Sequence, residues 1–265
     1  MSDRAAPGAR PAAFTADSRW IRRAARPAPA LRLICVPYAG GGASVFSRLP
    51  ALLPEQIEVI VLQLPGREDR TRELAPDSLP DLIAACSIAL RPYTSAPYAF
   101  YGHCAGALLA YEIAQAIGER SGAWPVRLVA GAQAAPHLPP PQPLLHPLPD
   151  PELLDVIRSR GGLPATVAAN TELLDVLIPL LRSDFALWEN YVHRPRPPLP
   201  CPVTTLRGRQ DGIVTAEAAA SWAGHTTAGH TYRAVDGGHY FVNDHVEQTA
   251  GALADAVLAT SPTAD

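Results

Sequence analysis

PYAFYGHCAGALLAYEIAQAIG, residues 97–118, is the stretch on which the reading of the fold turns. Its apolar run Tyr98-Ala99-Phe100-Tyr101 predicts a buried strand, and Ala105 to Ile117 predicts a helix. Only Gly102-His103-Cys104 separates the two, so the chain reverses in one tight turn with a cysteine at its tip. Gly102-His103-Cys104-Ala105-Gly106 has the G-x-S-x-G spacing, with cysteine in the serine position. The glycines have a steric cause. A residue held on so sharp a turn crowds its neighbours two positions away on each side, where a Cβ would clash. The tip lies at the N-terminus of the following helix, where the helix dipole and free N–H groups favour a thiolate and the oxyanion of acyl transfer. Such a pentapeptide also arises by chance, so the reading depends on partners elsewhere.

Downstream, Val203 to Leu206 predicts a short strand, and Arg207-Gly208-Arg209-Gln210-Asp211-Gly212 then sets a carboxylate in the loop beyond it. Tyr232 to Val235 predicts another strand, followed by Asp236-Gly237-Gly238-His239-Tyr240-Phe241, a glycine turn carrying a histidine. Nucleophile, acid and base therefore come in the order Cys104, Asp211, His239. That order is used by α/β-hydrolases and differs from the two common serine-protease orders. Asp236 competes with Asp211 as the acid, but three residues before the histidine it is poorly placed to reach the far ring nitrogen. Upstream, a strand leads into Pro37-Tyr38-Ala39-Gly40-Gly41-Gly42, a glycine loop able to aim an N–H at an oxyanion.

On these residues the chain resembles the type II thioesterases of polyketide and nonribosomal peptide assembly lines, from about Trp20 to the last helix. The resemblance is carried by Pro37 to Gly41, Leu64-Pro65-Gly66-Arg67, Gly102 to Ala107, Leu181-Arg182-Ser183-Asp184, Gly208 with Asp211, and Gly237 to Phe241. The departure falls on the nucleophile, where that family usually has serine. The resemblance implies an α/β-hydrolase fold and release of acyl groups from the phosphopantetheine arm of acyl or peptidyl carrier proteins. It implies no metal and no cofactor beyond that arm.

Composition sets outer limits. The chain has 265 residues, 48% of them hydrophobic, enough for one sizeable α/β domain with an insertion. A net charge of −3 gives no general attraction for nucleic acid, and no apolar run reaches the roughly 18 residues of a membrane span. All 22 basic residues are arginine. That removes Schiff-base chemistry, a lysine-bound pyridoxal group and the phosphate-loop lysine. The four cysteines have no C-x-x-C or metal spacing, which fits a reducing cytoplasm. Cys35 and Cys86 fall in an apolar strand and helix and read as core.

Residues 1–19, rich in Ala, Pro and Arg, read as a flexible tail ahead of a domain over 20–265, with no signal-type apolar core. Leu31 to Val36 and Ile57 to Leu62 predict strands, Ser44 to Leu52 a short helix, Asp77 to Leu90 a helix, and Val126 to Ala130 a strand. Continuous apolar strands separated by helices imply a mostly parallel sheet covered on both faces. The alternation stops at Ala135. A proline-rich hinge over 136–151 leads into predicted helices Pro151 to Ser159 and Thr171 to Tyr191, the second expected to kink or divide at Pro179. Its apolar residues surround most of its circumference, more than one buried face needs. Residues 138–195 therefore read as a lid over the nucleophile with an acyl-binding inner surface. An ordinary packing subdomain is the plainer reading.

The expected chemistry has His239, oriented by Asp211, taking the proton of Cys104. The backbone N–H groups of Ala39 and Ala105 hold the oxyanion, and water then releases the acid from an acyl-cysteine. A thiol-to-thiol first step is nearly isoenergetic, so the acyl group stays activated. That opens a rival reading, transfer to an amine, alcohol or thiol acceptor, or cyclising release. A lid-bearing binding protein with a vestigial triad is a third. Within hydrolysis, editing of blocked carriers and release of a mature chain both fit. His103 reads as packing, and His225, His230 and His245 carry no assigned role. Arg67, Arg70 and Arg72 read as a solvated loop, with docking of an acidic carrier domain as a second reading.

Overall fold

The computed structural model describes residues 13–163 and 165–259. Its strands are β1 (Thr15–Ala16), β2 (Ile21–Ala24), β3 (Leu31–Val36), β4 (Ile57–Leu62), β5 (Tyr98–His103), β6 (Arg127–Gly131), β7 (Val203–Gly208) and β8 (His230–Val235). They form one sheet in the order β1-β2-β4-β3-β5-β6-β7-β8, parallel from β4 to β8 and antiparallel at the β1-β2-β4 edge. The helices are α1 (Leu49–Leu52), α2 (Leu79–Ala89), α3 (Ala105–Ser121), α4 (Asp150–Ser159), α5 (Ala165–Ala168), α6 (Thr171–Glu189), α7 (Ala216–Ala220), α8 (Phe241–Asp244) and α9 (Val246–Leu258).

The central strands are buried on both faces, and their period of two divides the core. Ile34, Val36, Phe100 and Tyr98 pack with Leu82 and Cys86 of α2 and with Leu109 and Ile113 of α3. Leu33, Cys35, Ala99 and Tyr101 face the other way, onto Phe46, Leu49 and the α9 residues Leu253 and Val257. Alternate side chains thus point to opposite helical layers. Every residue of β4 and β5 is buried, which is why each is apolar but for Glu58 in β4 and the terminal Gly102-His103 of β5.

The antiparallel edge corrects the expected tail over 1–19. Thr15 pairs with Arg23 and Ala16 with Arg22, and the Tyr93 hydroxyl donates to Asp17. Ordered chain therefore begins before Trp20; residues 1–12 lie outside the described part. Arg22 and Arg23 hid β2 from an apolar-pattern reading. Arg22 is nevertheless buried, paired with Asp69, and Arg23 pairs with Glu58, itself fully buried.

Two helix boundaries also differ. Ser44 to Leu52 is not one helix but a 3₁₀ turn, Ala43–Phe46, followed by α1. Helix α6 runs through Pro179 as a single element. The proline leaves the carbonyl of Asp175 without its N–H partner, and both residues are exposed, so water can satisfy it. Helices α4 to α6 lie between β6 and β7 and share a small core of Leu145, Leu153, Ile157, Leu163 and Leu181. Among the described residues no helix is long and apolar enough to cross a membrane.

Candidate active site

Strand β5 ends at His103, and α3 starts at Ala105, leaving Cys104 alone at the turn. Its φ of 52° is a left-handed value that costs a non-glycine residue energy. The strain is held in place from both sides. The Cys104 N–H donates to the Gly131 carbonyl at 2.8 Å, and the Ala107 N–H to the Cys104 carbonyl at 2.8 Å. The glycines flanking the turn are sterically obligatory. A Cβ on Gly102 would lie 2.2 Å from the Gly106 oxygen, and one on Gly106 would lie 2.3 Å from the Val36 oxygen. Cys104 itself is partly exposed, whereas Cys35, Cys86 and Cys201 are buried.

The loops after β7 and β8 are stitched together. Gly208 meets Gly238 so closely that a Cβ would lie 2.2 Å from the Gly238 oxygen. The Gln210 N–H donates to the Gly237 carbonyl at 3.0 Å, and the Gly237 N–H to Gln210 Oε1 at 2.8 Å. This brings Asp211 Oδ2 within 3.0 Å of His239 Nδ1, both residues being buried. The other carboxylate oxygen accepts from the N–H groups of Ile213 (2.8 Å) and Val214 (3.1 Å). Arg207 reinforces the loop by donating to the carbonyls of Val214 and Asp211. Burial opposes ionisation of Asp211, but His239 and the two N–H donors outweigh it and hold its pKa below the usual value. Asp236, the competing acid, turns instead to Arg209 at the surface.

His239 lines one cavity with Cys104. Burial disfavours its imidazolium, yet the nearby Cys104 sulfur and the Asp211 carboxylate outweigh that and raise its pKa to about 9. With Nδ1–H committed to Asp211, Nε2 is the nitrogen left for the sulfur. His103 takes no part in that exchange. It is wholly buried, donates from Nε2 to the His239 carbonyl at 2.8 Å and accepts at Nδ1 from the Tyr101 hydroxyl at 3.1 Å. Burial, with His239 beside it, drives its pKa down to about 3, so it stays neutral and holds the backbone of its neighbour.

Ala105, the first residue of α3, has an N–H with no helical acceptor. Ala39 and Ala105 border one small cavity together with Arg67 and Asp184. A second cavity, about 90 Å³, lies beside Cys104 and His239 and is lined by Leu108, Leu138, Phe185, Trp188 and Tyr240 among others. Its outer wall comes from the insertion between β6 and β7.

Two arginines were misread as solvent-facing or docking groups. Arg67 and Arg70 are 3% and 5% exposed. Arg67 forms a two-bond pair with Asp184 (2.8 and 2.9 Å), and Arg70 pairs with Glu73 and stacks over Trp20. Arg72 alone of the three is exposed. Asp184 and Tyr240 fall in Leu181-Arg182-Ser183-Asp184 and Gly237-Gly238-His239-Tyr240-Phe241, but nothing local to either residue marks what it faces.

The buried thiols set an expectation for labelling. Burial pushes Cys86 up to about 12, Cys201 up to about 11, and Cys35 further still. Iodoacetamide at neutral pH is therefore expected to modify Cys104 first, by at least tenfold, as read by peptide mass spectrometry. Equal labelling of the four would remove the case for an activated sulfur.

Comparison with known proteins identifies the family. Residues 31–257 match the thioesterase domain family. The chain is 37% identical over 244 residues to thioesterase PikA5 of Streptomyces venezuelae, covering 91% of this chain and 86% of that one. It is 35% identical over 212 residues to the gramicidin S biosynthesis protein GrsT of Aneurinibacillus migulanus, covering 80% and 83%. Among solved structures it is similar to the type II thioesterase BorB from the borrelidin biosynthetic cluster, at 33% identity and a TM-score of 0.83, covering 92% and 99%. The chain belongs to the thioesterase family and has its α/β-hydrolase fold.

Proposed function

We propose that this protein is a type II thioesterase that clears short acyl groups from the phosphopantetheine arms of carrier proteins in polyketide or nonribosomal peptide assembly, through an acyl-cysteine. The reading rests above all on one observation: Cys104, at a helix N-terminus, lines one cavity with a histidine that is itself held by Asp211. Cys104 as thiolate attacks the thioester carbonyl, and the N–H groups of Ala39 and Ala105 receive the oxyanion. The C–S bond to pantetheine breaks, and the His239 imidazolium protonates the departing thiolate. His239, now neutral, takes a proton from water, which adds to the acyl-Cys104 carbonyl. Collapse of that adduct breaks the C–S bond to Cys104, frees the acid and leaves the thiolate beside the His239 imidazolium, as at the start.

An editing role fits the space directly beside Cys104. A cavity of about 150 Å³ admits a benzene-sized molecule, so the roughly 90 Å³ there accepts an acyl group of a few carbons, while an adjoining cavity of about 630 Å³ also reaches His239 and Tyr240. On this reading the insertion over 138–195 is a lid, with Leu138, Phe185 and Trp188 supplying the apolar wall. No metal or redox group takes part in the sequence of steps.

Cysteine itself favours a second reading, since an acyl-Cys104 remains a thioester and reacts readily with amines. Incubating an acetyl-loaded carrier protein with the enzyme, with and without an added amine, separates the two by mass spectrometry. Free acetate at equal rates in both samples is the expected result. Amide formed at the expense of acid would make the protein a transferase, and an acyl group left on the carrier would remove both readings.

A further inference from the structure

The loop between β3 and the first 3₁₀ turn, which bears Ala39, is not self-supporting. Gly40 has φ of +77°, and a Cβ there would lie 2.6 Å from Leu181 Cδ2 on α6. Its N–H donates to Asp184 Oδ2 at 2.7 Å. Asp184 is in turn fixed by Arg67, whose Nη1 and Nη2 reach its two oxygens. Arg67 also donates to the carbonyls of Gly41 (3.2 Å) and Pro65 (3.1 Å). One buried carboxylate thus ties the loop after β3 and the loop after β4 to the third helix of the insertion.

We infer that Asp184 is a positioning residue that makes the oxyanion hole conditional on the docking of α6: by holding the Gly40 peptide it keeps the adjoining Ala39 N–H aimed at the reacting carbonyl. The inference rests on the reading of Ala39 as an oxyanion donor and adds what sets it. The coupling runs through Ala39: the Gly40 N–H shares a rigid plane with the Ala39 carbonyl, so anchoring that plane on Asp184 restrains ψ at Ala39 and steadies the Cα beside its own N–H. When α6 lifts away, Asp184 leaves with it and the donor is lost; when α6 seats, the donor is restored. Acyl transfer then runs only under a closed chamber, where the oxyanion is shielded from water.

The test compares Asp184→Ala with Asp184→Asn, the latter retaining an acceptor for Gly40. Three quantities are read: kcat and KM for acetyl-pantetheine, affinity for an acyl-pantetheine trifluoromethyl ketone, and the rate of iodoacetamide alkylation at Cys104. The ketone forms a tetrahedral oxyanion on sulfur, and alkylation forms none. In Asp184→Ala, kcat and ketone affinity are both expected to fall on the order of 100-fold, the size of one lost oxyanion donor. KM and the alkylation rate should stay within about threefold of wild type, and Asp184→Asn should recover at least tenfold of the loss.

Removing Asp184 alone strands the Arg67 charge and can unfold the protein. The same comparison is therefore made in an Arg67→Gln background. Equal kcat for Asp184→Ala and Asp184→Asn there overturns the inference, as does alkylation that slows in step with kcat. Failure of the acyl-cysteine reading looks different: turnover would survive loss of Cys104, whereas failure of this inference leaves turnover dependent on Cys104 and indifferent to Asp184.

Discussion

Cys104→Ala is expected to reduce kcat/KM for acetyl-pantetheine by on the order of 10⁴-fold or more, the scale seen when a nucleophile is removed from a catalytic triad. The fold should be unaffected. Alanine keeps the Cβ, fits the same strained φ of 52° as well as cysteine does, and leaves the Gly131 and Ala107 backbone bonds in place. Thermal melting and circular dichroism check that half of the claim. Retained turnover in a folded alanine variant would dismiss the elbow as the reacting centre.

Cys104→Ser extends the argument to pH. In the wild type the sulfur charge is the largest influence raising His239 to about 9. The imidazolium that protonates the leaving thiol therefore persists to that pH, and kcat/KM should fall as pH rises through about 9. In the serine variant that influence is gone while burial still disfavours the cation, so the histidine pKa drops. Serine needs the neutral imidazole as base, so its kcat/KM should rise with pH through the lowered value. Hydrolysis in Cys104→Ser should remain measurable, with its kcat/KM rising to a plateau that holds through pH 9, where the wild-type profile falls. Parallel profiles would mean that sulfur and ring do not share a proton.

Asp211→Asn is expected to lower kcat/KM by on the order of 10³ to 10⁴, as the matching change does in a serine triad. The carboxylate accepts from His239 Nδ1 at 3.0 Å, while its other oxygen is occupied by the N–H groups of Ile213 and Val214. Asparagine keeps that oxygen on the two backbone donors and so turns its NH₂ toward the ring. Nδ1 must then accept, and the ring proton moves to Nε2, which leaves no nitrogen free to take the Cys104 proton. Alkylation of Cys104 should slow as well, unlike in the Asp184 variants. Asp236→Asn is the control. Its carboxylate pairs with Arg209, with both side chains more than half exposed, and such pairs contribute little. A larger loss in Asp236→Asn than in Asp211→Asn would reverse the choice of acid.

Much of this was legible along the chain because its signals are local. Strands β3 to β5 are buried on both faces, so each is mostly apolar, interrupted only by Arg32, Glu58 and the terminal Gly102-His103. The Gly-x-Cys-x-Gly turn is visible because the atoms that forbid a Cβ at Gly102, those of Gly106 and Ala107, belong to the same turn. Strand β2 was not legible. Ile21-Arg22-Arg23-Ala24 looks like solvent-facing chain until Asp69 and Glu58, distant in sequence, neutralise the two arginines. The continuity of α6 through Pro179 likewise depended on which way Asp175 faced.

The order Cys104, Asp211, His239 and the glycines that let those loops turn were determined by the sequence itself, because strand periodicity and steric exclusion act over a few residues. What tertiary structure alone decided is the burial of Arg67 and its partnership with Asp184 across 117 positions. A charged side chain carries no local mark of its partner. Its cost of burial is met only when the folded chain delivers the opposite charge, and in this protein the delivery also sets the loop that bears Ala39.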